Sequence, residues 1–433
     1  MRLRRSLSMV ATSLVAICAL QPFNSVLAHS PHTLVVGHHH IQQPPPPPPI
    51  QSSPTVNVKD FGAKGDGTTD DTSSIQNAVA SAQSSHKGVF FPPGTYLHNS
   101  VLTFGSVAVT GSGAACTLLA GDKNNTAVIL TGTNSSIQNI VISSSGLTGS
   151  SSGTKPNSAT VLVQTATQFT VANDTIVQGS GRYGVYLQKS SVGTVSANAI
   201  NGTGSSGDTG VVIDGCFNVS VLGNLFQNED VCVSLFPFSG LLSGFGSQFV
   251  AILNNVCGNV TFPTKTAAVV DVESNTLSFA QNVVQMASFN KGTAAVQLTT
   301  DANIQVFSNE IWNGLNGVVT TSLFQAGNNI VSQNIFRNIG SSALLANGLL
   351  SPIAVQFISN KFGECGLIDT SANSAVITVN GSTNGVANVK ITNNVYQGHV
   401  NDLVNYVYAK NVPPANITGN TQSQTNLPGV PNN

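Results

Sequence analysis

Charge is what this 433-residue chain lacks most: Asp, Glu, Lys and Arg make up only 8% of it, against about a quarter of a typical soluble domain. With 16 basic and 17 acidic residues the formal net charge is −1, which excludes a nucleic-acid binder built on clustered positive charge. A helical protein laced with ion pairs is excluded on the same ground. Hydrophobic residues nevertheless make up 41% of the chain, so the shortage of charge does not mean disorder. No stretch reaches the roughly 18 uninterrupted apolar residues that a membrane-spanning helix needs. None of the six cysteines stands in a Cys-x-x-Cys or Cys/His spacing that suggests zinc, and after His98 the only histidine is His399. What is abundant instead is Gly, at 41 residues, with Ser, Thr, Asn and Val. That mixture favours strands and turns over helices.

The first 28 residues read as an address. Arg2, Arg4 and Arg5 precede an apolar run from about Met9 to Leu20, and Val26-Leu27-Ala28 supplies small residues before a cut. This is the pattern of a secretory signal peptide. Residues 29–53 hold five of the eight histidines and a six-proline run, Pro44 to Pro49; polyproline is a stiff, extended spacer. The expected organisation is a signal peptide over 1–28, a His/Pro-rich linker over 29–53, a folded domain over 54–425 and a tail over 426–433. Export removes Cys18 and leaves Cys116, Cys216, Cys232, Cys257 and Cys365, an odd number. Their apolar neighbours favour packed core thiols over a disulfide framework.

The body of the chain repeats. An apolar residue, two residues, Asn, one residue and a second apolar residue recur as Val195-Ser-Ala-Asn198-Ala-Ile200 and Val221-Leu-Gly-Asn224-Leu-Phe226. The pattern returns at Asn255, Asn282, Asn309, Asn334, Asn360, Asn394 and Asn420, with looser versions at Asn139 and Asn173. Each period of about 26 residues holds short β-branched runs and no helical segment. One coil per period stacks every strand on its counterpart in parallel sheets, and an Asn at each sharp corner can bond the next Asn along the stack. The fold expected is all-β: a single-stranded right-handed parallel β-helix of about 11–13 coils with an Asn ladder. One helix is expected near Ser73 to Ala82, where Ile75, Ala78, Val79 and Ala82 share a face. Asp70-Asp71-Thr72 supplies its cap, and the helix would close the open end of the solenoid.

The stretch Val58-Lys-Asp60-Phe61-Gly62-Ala-Lys-Gly65-Asp66-Gly67-Thr-Thr-Asp70-Asp71-Thr, then Ile75-Gln76 and Phe90-Phe91-Pro92-Pro93-Gly94-Thr95-Tyr96, resembles the opening of the pectate-lyase-like superfamily. It is most similar to the rhamnogalacturonase/epimerase-like branch, to which plant-type polygalacturonases and phage tailspike domains are related. The resemblance implies a right-handed β-helix that binds carbohydrate across one parallel sheet, and it makes Asp66, Asp70 and Asp71 architectural. Polygalacturonase catalytic motifs are mostly missing: there is no Asn-Thr-Asp and no Gly-His-Gly. Asn228-Glu229-Asp230-Val231-Cys232 alone resembles the Gly-Asp-Asp-Cys step of those hydrolases, matching at Asp230 and Cys232.

The few charges cluster by period. With Gly184, Gly210 and Val231 taken as equivalent strand starts, Arg182, Asp208, Glu229, Asp230, Lys265 and Lys291 fall at one corner of successive coils. Asp214, Asp271 and Glu273 are expected to project outward, with Asp214 and Asp271 roughly 10 Å apart by strand spacing, near the upper separation of an inverting glycosidase pair. Asp230, Glu229, Asp208, Asp214, Asp271 and Arg182 are therefore the candidate catalytic residues. Tyr183, Tyr186, Lys189, Lys265, Glu273, Phe236 and Phe238 are the candidate substrate contacts, the two Phe opening a Gly-rich excursion that would wall a sugar groove. No metal site is assigned, although a Ca²⁺ held by Glu229, Asp230 and Asp271 would serve a lyase by neutralising a uronate. A purely structural reading makes the corner a surface ladder of weak ion pairs. The functional expectation is a secreted, extracellular or periplasmic protein that cleaves or modifies an acidic, pectin-like polysaccharide by hydrolysis or β-elimination. The alternative is a non-catalytic carbohydrate-binding or cell-surface β-helix. Polysaccharide is the expected partner, without nucleic acid or membrane span, and the oligomeric state is left open.

Overall fold

The computed structural model describes residues 54–121, 126–146, 158–236, 246–260, 267–272, 275–286, 294–299, 302–321, 328–349, 354–365, 375–381, 389–397, 405–410 and 416–422. The expected signal peptide, linker and tail lie outside them. Among the described residues, three parallel sheets of 14, 14 and 12 strands make up the domain. Every strand pairs with its counterparts one coil before and after, so the chain winds as a single-stranded parallel β-helix, right-handed as crossover connections of this kind are. The first sheet runs from Thr55–Asn57 to Ile417–Thr418, the second from Asp66–Asp70 to Thr421–Gln422, and the third from Leu102–Gly105 to Asn405–Lys410. Inward residues of all three form one continuous core, exemplified by Val185, Val211, Val233 and Val296 of the third sheet. Among the described residues no helix is long and apolar enough to cross a membrane.

A helix, Thr72–Ser84, packs against the first coils with Ile75, Ala78, Val79 and Ala82 buried in that core. Its cap differs from the expectation. Asp71 holds the N-cap position without a side-chain capping bond and instead accepts the backbone N–H groups of Lys64 and Gly65. Asp70 accepts from the Thr72 N–H and hydroxyl. Asp71 thus holds the glycine-rich loop to the helix, and Asp70 ties the helix start to Asn99, whose N–H it also accepts, an architectural role for both.

The asparagine ladder stands at the corner between the first and second sheets. Each member from Asn198 to Asn394 donates its backbone N–H and its Nδ2 to the Oδ1 of the next, at 2.9–3.1 Å. A second bond from each Nδ2 reaches a strand carbonyl one coil back, as from Asn282 to Ile252. Asn139 and Asn173 are one residue off this column. They take the left-handed backbone conformation just before it, with φ of 57° and 58°, and the column itself passes through Ile140 and Asp174. An Asn is favoured at both kinds of position, so the sequence pattern alone merges them.

Cysteine usage also departs from the expectation of free core thiols. A disulfide joins Cys232 to Cys257, whereas Cys116, Cys216 and Cys365 are free and buried.

Candidate functional site

Register decides which face each candidate side chain occupies. In the third sheet Tyr183 pairs with Thr209 and Thr209 with Val231, so Val231 is not equivalent to Gly210 but one residue earlier. Such a slip turns a side chain to the opposite face. The row through Asp214 consists of Gln164, Gln188, Asp214 and Phe236. Asp271 belongs to a different row, paired with Leu235 and Leu298, both core residues. The expected outward pairing of Asp214 with Asp271 therefore has no basis in the register. Lys265, Glu273, Lys291 and Phe238 lie outside the described residues, and Phe236 is described only as the end of its strand.

The corner charges do come together, but in the interior rather than along a solvent groove. Arg182, Asp208, Glu229 and Asp230 are each at most 1% exposed. Asp208 accepts the N–H groups of Gly181, Thr203 and Ser205 and the Thr203 hydroxyl, tying together successive turns. Asp230 accepts from Gly207 N–H at 2.8 Å, and Arg182 donates from Nη2 to the Ala159 carbonyl at 3.2 Å. Corner loops of unequal length cannot form a regular ladder, and these side chains take its place. Glu229 accepts from Gln178 Nε2 at 2.6 Å, while its Oε2 has no hydrogen-bond partner. A Cβ on Gly202 would come within 2.9 Å of that oxygen, so the pocket is filled. Burial, then the nearby negative charges of Asp208 and Asp230, hold the Glu229 carboxyl well above the usual range. Folding therefore strengthens the hold of this carboxyl on its proton, so the group favours folding less as pH rises above the ordinary carboxylate range. Glu229→Gln is accordingly expected to raise the melting temperature at pH 7–8 and to change it little near pH 4, as calorimetry at the two pH values would read. Lower stability at both would refute a protonated Glu229.

The outer face of the third sheet brings a different set together. Tyr186 donates its hydroxyl to Asp214 Oδ2 at 2.9 Å. Gln188 also hydrogen-bonds Asp214, and Gln164 Nε2 donates to Gln188 Oε1 at 2.8 Å. Leu162, Tyr186 and Val212 form a small apolar cluster with Ala159 on this side, apart from the main core, against which Ile129 and Tyr183 pack. Tyr183 and Tyr186 meet edge to face at 5.3 Å. Asp214 is only 6% exposed, and burial raises its carboxyl above the usual range, opposed by the bonds from Tyr186 and Gln188 and by the charge of Lys189. A carboxyl that keeps its proton to higher pH than an ordinary one suits a general acid. Gln164 and Gln188 were not picked out from sequence; their signal is that each ends a strand at the same step before Asp214. Among the described residues no group of three His, Cys, Asp or Glu side chains is placed to hold a metal ion. Glu229 and Asp230 are enclosed at the corner, and the register row of Asp271 is not theirs.

Comparison with known proteins agrees with this architecture. A hyperthermoactive exopolygalacturonase from Thermotoga maritima superposes with a TM-score of 0.53 at 13% identity, covering 72% of this chain and 88% of that one. The catalytic unit of a GH87 α-1,3-glucanase from Streptomyces thermodiastaticus superposes with a TM-score of 0.51 at 15% identity, covering 83% and 71%. These likenesses show the fold. Among curated proteins, a probable glucan endo-1,3-β-glucosidase of Arthroderma benhamiae is 51% identical over 51 residues, 10% of this chain and 6% of its own length. The chain thus spans only a small fraction of that relative. The family model for rhamnogalacturonase A/epimerase, pectate-lyase-like proteins matches residues 55–319, well over half of the chain, and the chain belongs to that family.

Proposed function

We propose that this is a secreted polysaccharide-active protein that lays a glycan along the outer face of the third sheet and cleaves or modifies it with Asp214 as the proton-transferring group. The observation that carries this reading is the Tyr186–Asp214 pair: an acidic group with a raised proton affinity, on the outer face of a sheet, in a chain with few charges to spare. Perturbed carboxyls of this kind concentrate at functional sites. Tyr186 and Gln188 fix the orientation of the carboxyl, and the apolar Leu162 and Val212 keep water from it. Export is supported by the signal-like opening and by the Cys232–Cys257 disulfide, which suits an oxidising compartment. Because the similar proteins include a glucanase, a probable glucosidase and an exopolygalacturonase, both neutral and acidic glycans belong in the test set. A rigid, non-catalytic binder is the second reading, favoured by the tied-down corner carboxylates.

The deciding experiment presents α-1,3-glucan, β-1,3-glucan, polygalacturonate, rhamnogalacturonan and alginate to the full-length protein and to Asp214→Asn. New reducing ends report hydrolysis, and ultraviolet absorbance of unsaturated uronides reports β-elimination. Turnover is expected to fall by about 10²-fold or more in the variant, the scale of a lost general acid, with glycan retention unchanged. Full activity in Asp214→Asn would remove Asp214 from the mechanism. Binding without turnover on every glycan would leave the rigid binder.

A further inference from the structure

Among the described residues, three of the five exposed large hydrophobic side chains crowd one corner of the solenoid: Val192, Phe217 and Phe249, at 44%, 48% and 51% exposure. They sit at the starts of three successive first-sheet strands, where Ser191 pairs with Phe217 and Phe217 with Gln248. The two Phe rings meet edge to face at 5.3 Å, leaving ring surface open to water. Phe217 follows Asp214 by three residues, so the ridge begins where the outer face of the third sheet turns its corner.

Two separate penalties fall on these positions. The second residue of each first-sheet strand here adopts a left-handed backbone, with φ of 54° at Val192, 53° at Asn218, 53° at Phe249, 67° at Thr276 and 55° at Asn303. Asn suits such a position; a β-branched or bulky residue is strained there. Val192 and Phe249 therefore carry backbone strain and expose apolar surface at the same site, although the Asn found at 218 and 303 would relieve both. Contiguous exposed apolar surface of this kind marks a binding site.

We infer that Val192, Phe217 and Phe249 form a stacking ridge for the pyranose rings of a neutral polysaccharide, extending the glycan path from the third sheet around the corner; this rests on the polysaccharide-active reading above. The C–H faces of a pyranose pack on aromatic rings. The polar groups interleaved with the ridge are the uncharged Ser191, Asn218 and Gln248; the charges that flank it in these strand approaches are Lys189, three residues before Val192, and Asp214, three residues before Phe217. A polyuronate would bring one negative charge per sugar to a surface with almost nothing to neutralise it, so the occupant is a neutral glycan.

The test uses the full-length protein and Phe217→Ser/Phe249→Asn, in co-sedimentation with insoluble α-1,3- and β-1,3-glucan and affinity electrophoresis in polygalacturonate. Retention by a neutral glucan is expected to weaken by about tenfold or more for each ring removed. The melting temperature should hold or rise, because Asn fits the left-handed position. Unchanged retention would overturn the ridge, as would an effect confined to polygalacturonate. So would a wild-type dimer, seen by light scattering, that the double variant dissociates. If neither glucan binds the wild type, the ridge fails whatever the turnover assays show. If the ridge variant loses glucan binding while the wild type turns over no glycan, the ridge stands and the catalytic reading falls.

Discussion

Asp174→Asn is expected to make this protein more stable at pH 8, by a margin that shrinks towards zero near pH 4. Asp174 occupies the first position of the ladder. Its Oδ1 accepts the Ile140 N–H at 3.0 Å, and its N–H donates to Asn198 Oδ1. Its Oδ2, buried without a partner, takes the place of the amide nitrogen that every later member uses as a donor. By the ladder pattern that nitrogen would face two acceptors, Asn198 Oδ1 and the Ile137 carbonyl, so only a protonated Oδ2 fits. Burial pushes the carboxyl up to about 8 from an ordinary 3.8. The sign follows: between those values the unfolded chain has released the proton that the folded chain keeps, so stability is full below about pH 4 and falls as pH rises towards 8. The loss is on the order of 5 kcal/mol if the whole shift is realised. An Asn carries its own donor and needs no proton. Paired denaturant titrations of wild type and variant at pH 4.5 and 8 would check this, and equal stability at pH 8 would contradict a protonated Asp174.

Asn282→Ala is expected to be the most damaging single change in the middle of the solenoid. Asn282 Oδ1 accepts two bonds from Asn255, and its Nδ2 donates to the Ile252 carbonyl and to Asn309 Oδ1, all at a residue 2% exposed. Removing the amide strands the buried Asn255 N–H and breaks the column at its centre. Buried groups left unpaired cost about 1–3 kcal/mol each, so a total on the order of 3 kcal/mol or more is expected. Asn420→Ala, at the half-exposed end of the column, should cost about 1 kcal/mol or less by the same accounting. Equal losses at the two positions would mean that the ladder is not a cooperative column.

The repeat was legible in the sequence because the ladder Asn has two requirements that few residues meet together: a side chain that both donates and accepts, and a tight corner. The capping helix was legible from Ile75, Ala78, Val79 and Ala82, whose spacing fits nothing else nearby. The site was far less legible. Its rows hinge on whether a strand begins at Thr209 or Gly210 and at Ala267 or Ala268, and glycine and alanine give no sign of face. One residue of slip moved Asp271 from the row of core leucines to an imagined groove. The clustering of Arg182, Asp208, Glu229 and Asp230 was real, yet periodicity says only that charges share a corner, not whether water reaches it. The ridge was not legible because an isolated Phe in a β-rich chain reads as core; its exposure and the left-handed backbone at Val192 and Phe249 show only in the structure.

Every bond between ladder side chains runs the same way: nitrogen donates towards the C-terminal coil and oxygen accepts from the N-terminal one. The stacked amide dipoles therefore add instead of cancelling, as strand dipoles within a sheet do, and each polarises the next. One edge of the solenoid is an aligned electrical column, with its negative pole at the N-terminal coils beside Asp174 and its positive pole near Asn420. An ionised carboxylate at the negative pole would oppose that field, a further reason for residue 174 to be neutral. A molecule with a net charge of only −1 thus has two electrically unlike ends.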